Sequence, residues 1–424
     1  MSCLARPWRR TVARLGIAMV ACLFPILALA QSPTALAPVP LQEALQAAWQ
    51  RYPGARASQA QLAAAQARRD AAGRPLYNPE LALAAEDEGP DRRTTAGVDL
   101  TLDLSGKRSA RREAAQARLG LAVAQARVRQ RDFVRQWFTG WTNWLSAQER
   151  LKTGERRVAS MTRFVDLAGK QFTVGDISGL ERDLAALARD EARSQQAQLI
   201  AEEADARARF RAVGGEPESS GTPQSIALLP PEVAMTTVDV EQLPEWQVAQ
   251  AALQAAEGDI LVARRDRIPD PTVGLNGGRI DYGNVQDRIV GVSVRIPLFV
   301  RNGYRAELVA AQADADAAAA DAERIRLELA AEQRSAIDGY RAAQAAWSQW
   351  QASRGTDAVR REDLLERLWR QGELSTSDYL LQLRQSLDTQ LAGAELEARL
   401  WRSYADYLAA TGQLERWAGL EATP

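Results

Sequence analysis

The residue types that most often carry catalysis or bind transition metals are nearly absent from this 424-residue chain. It contains no histidine and only two cysteines, Cys3 and Cys22. Nucleophile pairs and zinc or copper sites are built largely from these residues, so the sequence argues against both kinds of site. Its 54 acidic residues are interleaved with 53 basic ones, without a paired-acid motif or a basic stripe for nucleic acid. We therefore expect no enzyme activity, no cofactor and no resident metal.

The first thirty residues have the three zones of a secretory signal peptide. A basic start is followed by an apolar run at residues 15–29 and by a small-x-small site that ends at Ala30. Cleavage after Ala30 would remove both cysteines. An alternative is a lipoprotein site, in which Cys22 becomes the lipidated first residue. Beyond this segment, no apolar run reaches the roughly eighteen residues of a transmembrane helix, so any membrane crossing must use strands.

The sequence after the signal segment contains a long internal repeat, so that its second half resembles its first. Residues 97–104 resemble residues 291–298, and a Gly-Asp-Ile-Ser turn at 175–178 resembles a Gly-Glu-Leu-Ser turn at 372–375. These corresponding positions lie 194 and 197 residues apart. Such self-similarity indicates a duplicated architecture, whose halves must be interpreted together.

Each half contains two short segments with a strand pattern. They lie at residues 81–85 and 98–104 in the first half, and at 272–276 and 290–298 in the second. Apolar side chains alternate with polar ones, which makes one face of each strand apolar and the other polar. The polar segment 86–91 is expected to be the loop tip between the first two strands.

Long alanine-rich segments with helical periodicity account for most of the remaining chain. The predicted helices are 41–72 with a break near Pro53, 109–173, 180–213, 304–370 and a returning segment that ends near 411. A helix over 109–173 would span about 100 Å at 1.5 Å per residue, so we expect coiled-coil hairpins rather than a compact globule. Trp137, Trp141 and Trp144 lie at helical spacing and are interpreted as packing residues. The predicted division is a signal peptide at 1–30, a first repeat at 31–213, a proline-rich linker at 214–243, a second repeat at 244–413 and a C-terminal tail at 414–424.

Four strands cannot stand alone in a bilayer, because open sheet edges leave backbone groups without hydrogen bonds in hydrocarbon. The strands of several copies must therefore close into a barrel. Two copies would give eight strands and a filled interior, whereas three would give twelve strands and a lumen. Asp99, Asp103 and Arg295 are predicted to face that lumen. The fold class predicted is α+β: a trimeric 12-stranded outer-membrane β-barrel continued by a periplasmic α-helical barrel.

This arrangement resembles the outer-membrane efflux proteins of the TolC family over essentially all of the chain after the signal segment. The most specific passages are Asn78-Pro79-Glu80-Leu81, Ile296-Pro297-Leu298-Phe299 followed by Arg301-Asn302-Gly303, and the paired Gly-acid-Ile/Leu-Ser turns. The first-half strand end at 102–108 looks most like the branch that serves heavy-metal exporters of the cobalt-zinc-cadmium type. The resemblance implies a homotrimeric duct that receives substrate from an inner-membrane RND pump through a periplasmic membrane-fusion adaptor.

The resemblance also implies roles for residues near the two turns. Asp378 matches a family aspartate that narrows the closed entrance, and Glu181 is its first-half counterpart; both would alternatively serve only as caps of the returning helices. A second acidic ring is in doubt, because Leu381 occupies its position. The adaptor would meet the turns themselves: Gly175, Asp176, Ile177, Ser178, Gly372, Glu373, Leu374 and Ser375.

The function expected is export of heavy-metal cations through an outer-membrane channel with a large periplasmic part. Within the same architecture, drug efflux or type I secretion is the alternative. A different class, a soluble periplasmic coiled-coil adaptor or scaffold, would pack the strands into a small domain and would need no detergent for extraction.

Overall fold

The structure is a computed structural model that describes residues 36–89, 91–219, 230, 237–353 and 358–420. The predicted signal peptide, the cleavage after Ala30, the alternative lipid site at Cys22, and parts of the linker and of the C-terminal tail lie outside these residues. All of these described residues belong to one compact unit. In the described ranges, no helix combines the length and apolar character that crossing a membrane requires.

The described residues form nine α-helices and four strands. The helices are α1 Val39–Arg51, α2 Pro53–Ala72, α3 Lys107–Val174, α4 Gly179–Ala212, α5 Pro244–Asp266, α6 Arg305–Ser353, α7 Ala358–Arg370, α8 Thr376–Ala410 and α9 Leu414–Trp417. The strands are β1 Glu80–Glu88, β2 Asp91–Thr101, β3 Thr272–Asp281 and β4 Gln286–Arg295.

The order of elements confirms the internal duplication and the α+β class. Each half runs from a helix through a two-stranded hairpin into a long helix, then turns into a returning helix. The break near Pro53 is confirmed, because α2 begins at that residue, where proline's missing N–H costs no helical hydrogen bond. The second half begins with α5, which packs on α3. Gly258 of α5 allows this approach, since a Cβ there would lie 2.9 Å from the Cα of Ala114.

The four strands form one antiparallel sheet in the order β1-β2-β3-β4. β2 and β3 join the two halves, with Thr101 opposite Thr272 at one end of the ladder. One cross-strand row consists of Leu81, Val98, Leu275 and Val292. Side chains directly opposite each other point to the same face, so this row belongs to one apolar face.

Three predicted boundaries in the sheet are wrong. Residues 86–88 belong to β1 rather than to a loop tip, because Glu86 pairs with Arg93 and Asp87 with Arg92, where opposite charges stabilise the ladder. β2 ends at Thr101 and β4 at Arg295, before the predicted strand ends. Pro297 has no N–H for a ladder, and Asp103 instead forms hydrogen bonds with the start of α3.

The described helices contain two separate apolar clusters. The larger one includes Trp137, Trp141 and Trp144, each at most 2% exposed, so their predicted packing role is confirmed. It also takes in α9, whose Leu414 and Trp417 are buried, so the beginning of the predicted tail is part of the core. The smaller cluster, which we call the tip core, lies near the two turns and consists of Met161, Phe164, Ala168, Ala185, Ala192, Leu365, Trp369, Tyr379, Leu383 and Leu387.

Candidate functional site

The two turns that join the long helices to their returning helices have the same backbone design. Gly175 has φ of 86° and Gly372 has φ of 74°, the left-handed conformation that glycine adopts most readily. The N–H of Asp176 donates to the carbonyl of Gln171 at 2.9 Å, and the N–H of Glu373 donates to that of Leu368 at 3.0 Å. This pairing satisfies carbonyl groups that a helix end leaves free. Both turns are therefore closed loops rather than loose connections.

Ser178 and Glu181 form a complete capping box at the start of α4. The N–H of Glu181 donates to Ser178 Oγ at 3.2 Å, and the N–H of Ser178 donates to Glu181 Oε2 at 2.8 Å. Ser375 and Asp378 form a similar cap at α8, where the Ser375 hydroxyl donates to Asp378 Oδ2 at 2.7 Å and the Asp378 N–H donates to Ser375 Oγ at 3.1 Å. The capping role is thus present at both acids. Their role in a constriction stays a prediction.

Thr376 brings the two turns together. Its hydroxyl donates to Glu181 Oε1 at 3.1 Å, across 195 positions of sequence, and it also accepts from the Trp369 indole at 3.1 Å. Thr376 is buried, so this contact ties the acid of one hairpin to the tip core beside the other. The structure therefore places Glu181 beside the α8 turn, at the end of the same helix that carries Asp378.

The residues predicted to contact an adaptor divide into two groups. Ile177 and Leu374 pack against the tip core and are partly buried. The exposed positions are Gly175, Asp176, Ser178, Gly372, Glu373 and Ser375. Sequence reasoning missed Val174 and Leu180, which are 71% and 70% exposed beside the first turn. The sequence feature that could have identified them is an apolar residue on each side of a predicted turn. Whether these surfaces meet an adaptor stays a prediction.

Glu181 should make the first turn sensitive to acid. The backbone N–H of Ser178, its hydroxyl and the hydroxyl of Thr376 hold the pKa of Glu181 below its usual 4.5. A group whose pKa is lower in the folded state stabilises that state above its usual pKa, and the contribution is lost as pH falls through the folded pKa. We expect hydrogen-exchange protection at residues 178–182 to be constant above pH 4.5 and to fall below it. In Glu181→Gln, protection should not depend on pH; an equal fall in that variant would contradict the assignment.

Of the three residues predicted to face the lumen, two lie in strands and one does not. Asp99 lies on the face of the sheet opposite the apolar rows, next to Gly274, and Arg295 lies on the same face opposite Thr272. Asp103 lies beyond the end of β2, so its prediction as a strand residue is wrong. Its carboxylate accepts the N–H groups of Lys107 and Arg108 at 2.9 and 2.8 Å and caps α3. Burial raises the pKa of Asp103, but these N–H donors outweigh burial and hold it below its usual range.

A buried network that sequence reasoning missed joins the halves where the sheet meets the helices. Lys107 Nζ lies 2.9 Å from Asp270 Oδ2, with side chains 8% and 3% exposed, and the Tyr77 hydroxyl donates to the same oxygen at 2.7 Å. This hydrogen bond raises the pKa of Tyr77 to about 12. We call Tyr77, Lys107 and Asp270 the junction network. Two sequence features could have revealed the junction network. They are an acidic residue between two prolines, Pro269 and Pro271, and one of only three lysines in the chain.

An open cleft of about 870 Å³ lies beside the junction network, on the side of the polar face of the sheet. Its walls carry charges of both signs, including Arg111, Asp266 and Arg295. Among the described residues there is no group of three or more acidic, histidine or cysteine side chains placed to hold a metal ion.

Comparisons with known proteins agree with this architecture. Residues 44–216 match the family described as outer membrane efflux protein. The cobalt-zinc-cadmium resistance protein CzcC of Cupriavidus metallidurans is 31% identical over 339 residues, which cover 75% of this chain and 80% of that protein. The nickel-cobalt-cadmium resistance protein NccC of Alcaligenes xylosoxydans is 27% identical, with 74% and 69% covered. The CmeC outer membrane channel of Campylobacter jejuni has the same fold, with a TM-score of 0.73 at 14% identity over 88% of this chain and 86% of that one.

Proposed function

The chain belongs to the outer membrane efflux protein family and is an outer-membrane protein with a large periplasmic part, and from this membership we propose that it is the outer-membrane channel of a tripartite system that exports heavy-metal cations. Three copies close their sheets into one twelve-stranded barrel. The helical hairpins continue the barrel as a tube, which meets a periplasmic adaptor and, through it, an inner-membrane RND pump.

The uncovered apolar face of the sheet carries this proposal. Leu81, Leu83, Leu275, Val290 and Val292 all lie on that face and are between 61% and 82% exposed. A soluble scaffold would cover such a face, since large exposed apolar patches are rare on soluble monomers. Acyl chains cover it in a barrel whose apolar residues point outward and whose polar residues point inward. The opposite face, with Asp99 and Arg295, then lines the lumen.

Metal cations are favoured as substrate for two reasons. CzcC and NccC are named as cobalt, zinc, cadmium and nickel resistance proteins. Glu181 and Asp378 would also bring six carboxylates to the narrow mouth of a trimer, and acidic rings favour cations over anions. Drug efflux and type I secretion use the same architecture and remain the alternative.

A deletion strain tests the substrate. We expect lowered tolerance to one or more of zinc, cadmium, cobalt, nickel and copper, restored by the intact gene on a plasmid. Unchanged tolerance to every metal, together with lowered tolerance to drugs, would favour the alternative. Immunoblots of the outer-membrane fraction confirm that the plasmid copy is present at wild-type level.

Fractionation and gel electrophoresis test the architecture independently of substrate. The protein should be in the outer-membrane fraction, should need detergent for extraction, and should migrate as a trimer unless it is heated. Recovery of a monomer from the soluble fraction would contradict the channel and favour the periplasmic scaffold.

A further inference from the structure

The two outer strands of the sheet, β1 and β4, each have one edge that no other described strand covers. An uncovered edge leaves a row of backbone donors and acceptors without partners, which a membrane strand cannot tolerate. A second copy of this chain supplies the complementary edge, and this choice of partner rests on the trimeric channel proposed above. What remains to be assigned is which residue of β4 lies opposite which residue of β1.

The internal duplication predicts this register. Within one chain, the last residue of β2, Thr101, lies opposite the first residue of β3, Thr272. Thr272 directly follows Pro271, and Glu80, the first residue of β1, directly follows Pro79. β4 corresponds to β2, and β1 corresponds to β3. Repeating the same junction between copies therefore places Arg295, the last residue of β4, opposite Glu80 of the next copy.

In this register all nine residues of β1 lie opposite residues of β4. Val294 meets Leu81 and Val292 meets Leu83, so the exposed apolar face continues across the junction. A shift by one residue would turn every side chain of one strand to the other face. A shift by two residues keeps the faces, so charge must separate these two registers.

The charges on the two strands favour the register that the duplication predicts. The first example lies on the polar face of the sheet. Glu80 lies directly opposite Asp99 within the chain, and like charges in this position destabilise a sheet. Across the described residues, neither Glu80 nor Arg295 forms an ion pair, and both are exposed. Arg295 of the neighbouring copy would lie on the other side of Glu80 and offset the repulsion from Asp99. After a two-residue shift, Glu80 would meet Ser293 instead.

At the other end of β1 and β4, a pair of like positive charges would meet a negative charge from the next copy. Arg288 lies directly opposite Arg279 within the chain. The register that the duplication predicts places Asp87 of the next copy beside Arg288, on the side of β4 that no described strand covers. This contact lies on the apolar face, at the end of the sheet far from the helices. Inside the chain, Asp87 and Arg92 already form a cross-strand ion pair at 3.1 Å. Each of these two like-charge pairs thus meets an opposite charge from the neighbouring copy.

The register also places Asp287 beside Glu88, which lies opposite Asp91 within the chain. It therefore gains two opposite-charge contacts against one like-charge contact.

We propose that, where β4 of one copy meets β1 of the next in the trimeric barrel, Arg295 lies opposite Glu80 and Arg288 lies opposite Asp87. The Glu80–Arg295 pair lies at the helical end of the barrel, facing the lumen. The charge of Asp99 is then left to face the lumen beside this pair.

Disulfide cross-linking in isolated outer membranes tests the register. The double variant Leu81→Cys/Val294→Cys should form covalent dimers and trimers on oxidation, because opposite residues lie about 4.5–5.5 Å apart. The matched control Leu81→Cys/Val292→Cys should not, because its cysteines would be separated by about 8 Å, beyond disulfide reach. Wild type and the single-cysteine variants give the background of cross-linking that does not depend on the engineered pair.

A charge exchange tests the ion pair. Glu80→Arg leaves the isolated chain intact, since it replaces a repulsive contact with Asp99 by an attractive one, but it places two arginines together between copies. We expect Glu80→Arg and Arg295→Glu each to lower the temperature at which the trimer dissociates on gels, and the double exchange to restore it. Glu86→Gln removes a charge opposite Ile289 of the neighbouring copy and a pairing with Arg93 inside the chain. It should therefore lower the dissociation temperature less than Glu80→Arg, and Arg295→Glu should not restore it.

The outcomes of these experiments are distinguishable. Cross-linking of the control pair alone would overturn the register while the trimer stands. A heat-dissociable wild-type trimer in which neither pair cross-links would also overturn the proposed register. A wild-type protein that is monomeric would instead overturn the channel proposed above.

Discussion

Replacing Asp270 by alanine is expected to lower the free energy of unfolding by about 3–5 kcal/mol, because it leaves the Lys107 ammonium group buried without a counter-charge. The two side chains are 8% and 3% exposed, so water screens their 2.9 Å contact poorly. The Tyr77 hydroxyl also loses the acceptor that it reaches at 2.7 Å. Thermal unfolding in detergent, followed by far-ultraviolet circular dichroism, should show a clearly lower midpoint than wild type.

An exposed ion pair between the same two parts of the chain provides the matched control. Arg118 of α3 contacts Asp259 of α5, with side chains 58% and 42% exposed. Asp259→Ala should cost less than about 1 kcal/mol, because exposed pairs are weak. The double variant Lys107→Met/Asp270→Asn should recover much of the loss, since it removes both charges together. Equal destabilisation by Asp270→Ala and Asp259→Ala would contradict a special role for the buried pair.

Local periodicity was enough to predict most of the architecture. Alternation over residues 290–295 is a property of neighbouring residues, and the face it defines is the exposed apolar face of the sheet. The 68-residue helix α3 follows from a long segment without proline. The duplication could be read from two short matches, since it requires only comparison of the chain with itself.

The errors arose where distant parts of the chain decide local structure. Residues 86–88 look like a loop, yet Arg92 and Arg93 on the neighbouring strand make their charges acceptable in a ladder. Asp103 continues the alternation of β2, yet the free N–H groups of α3 draw it out of the strand. The contact of Lys107 with Asp270 spans 163 positions of sequence. None of these partners could be assigned without the fold.

The second large effect is expected at the mouth of the tube. The double variant Glu181→Gln/Asp378→Asn removes the carboxylate charges but keeps an oxygen that can accept from Ser178 and Ser375. In planar bilayers with the purified trimer, we expect higher anion permeability and a cation-to-anion ratio that falls toward one, because the acidic ring is gone. Asp378→Asn alone should show a smaller change in the same direction.

The capping contacts allow the two interpretations of these acids to be separated. Ser178→Ala/Ser375→Ala removes the cap hydroxyls while leaving all carboxylates at the mouth, and each lost cap should cost about 1 kcal/mol of local stability. If the acids form an electrostatic constriction, this variant keeps the cation selectivity of wild type and only the neutralised variant loses it. If they serve only as caps, the serine variant should increase the ion current through the closed channel, whereas the neutralised variant should leave the cation selectivity unchanged. Because Thr376 holds Glu181 against the α8 turn at 3.1 Å, Thr376→Val should shift selectivity in the direction of the neutralised variant if the position of that carboxylate matters.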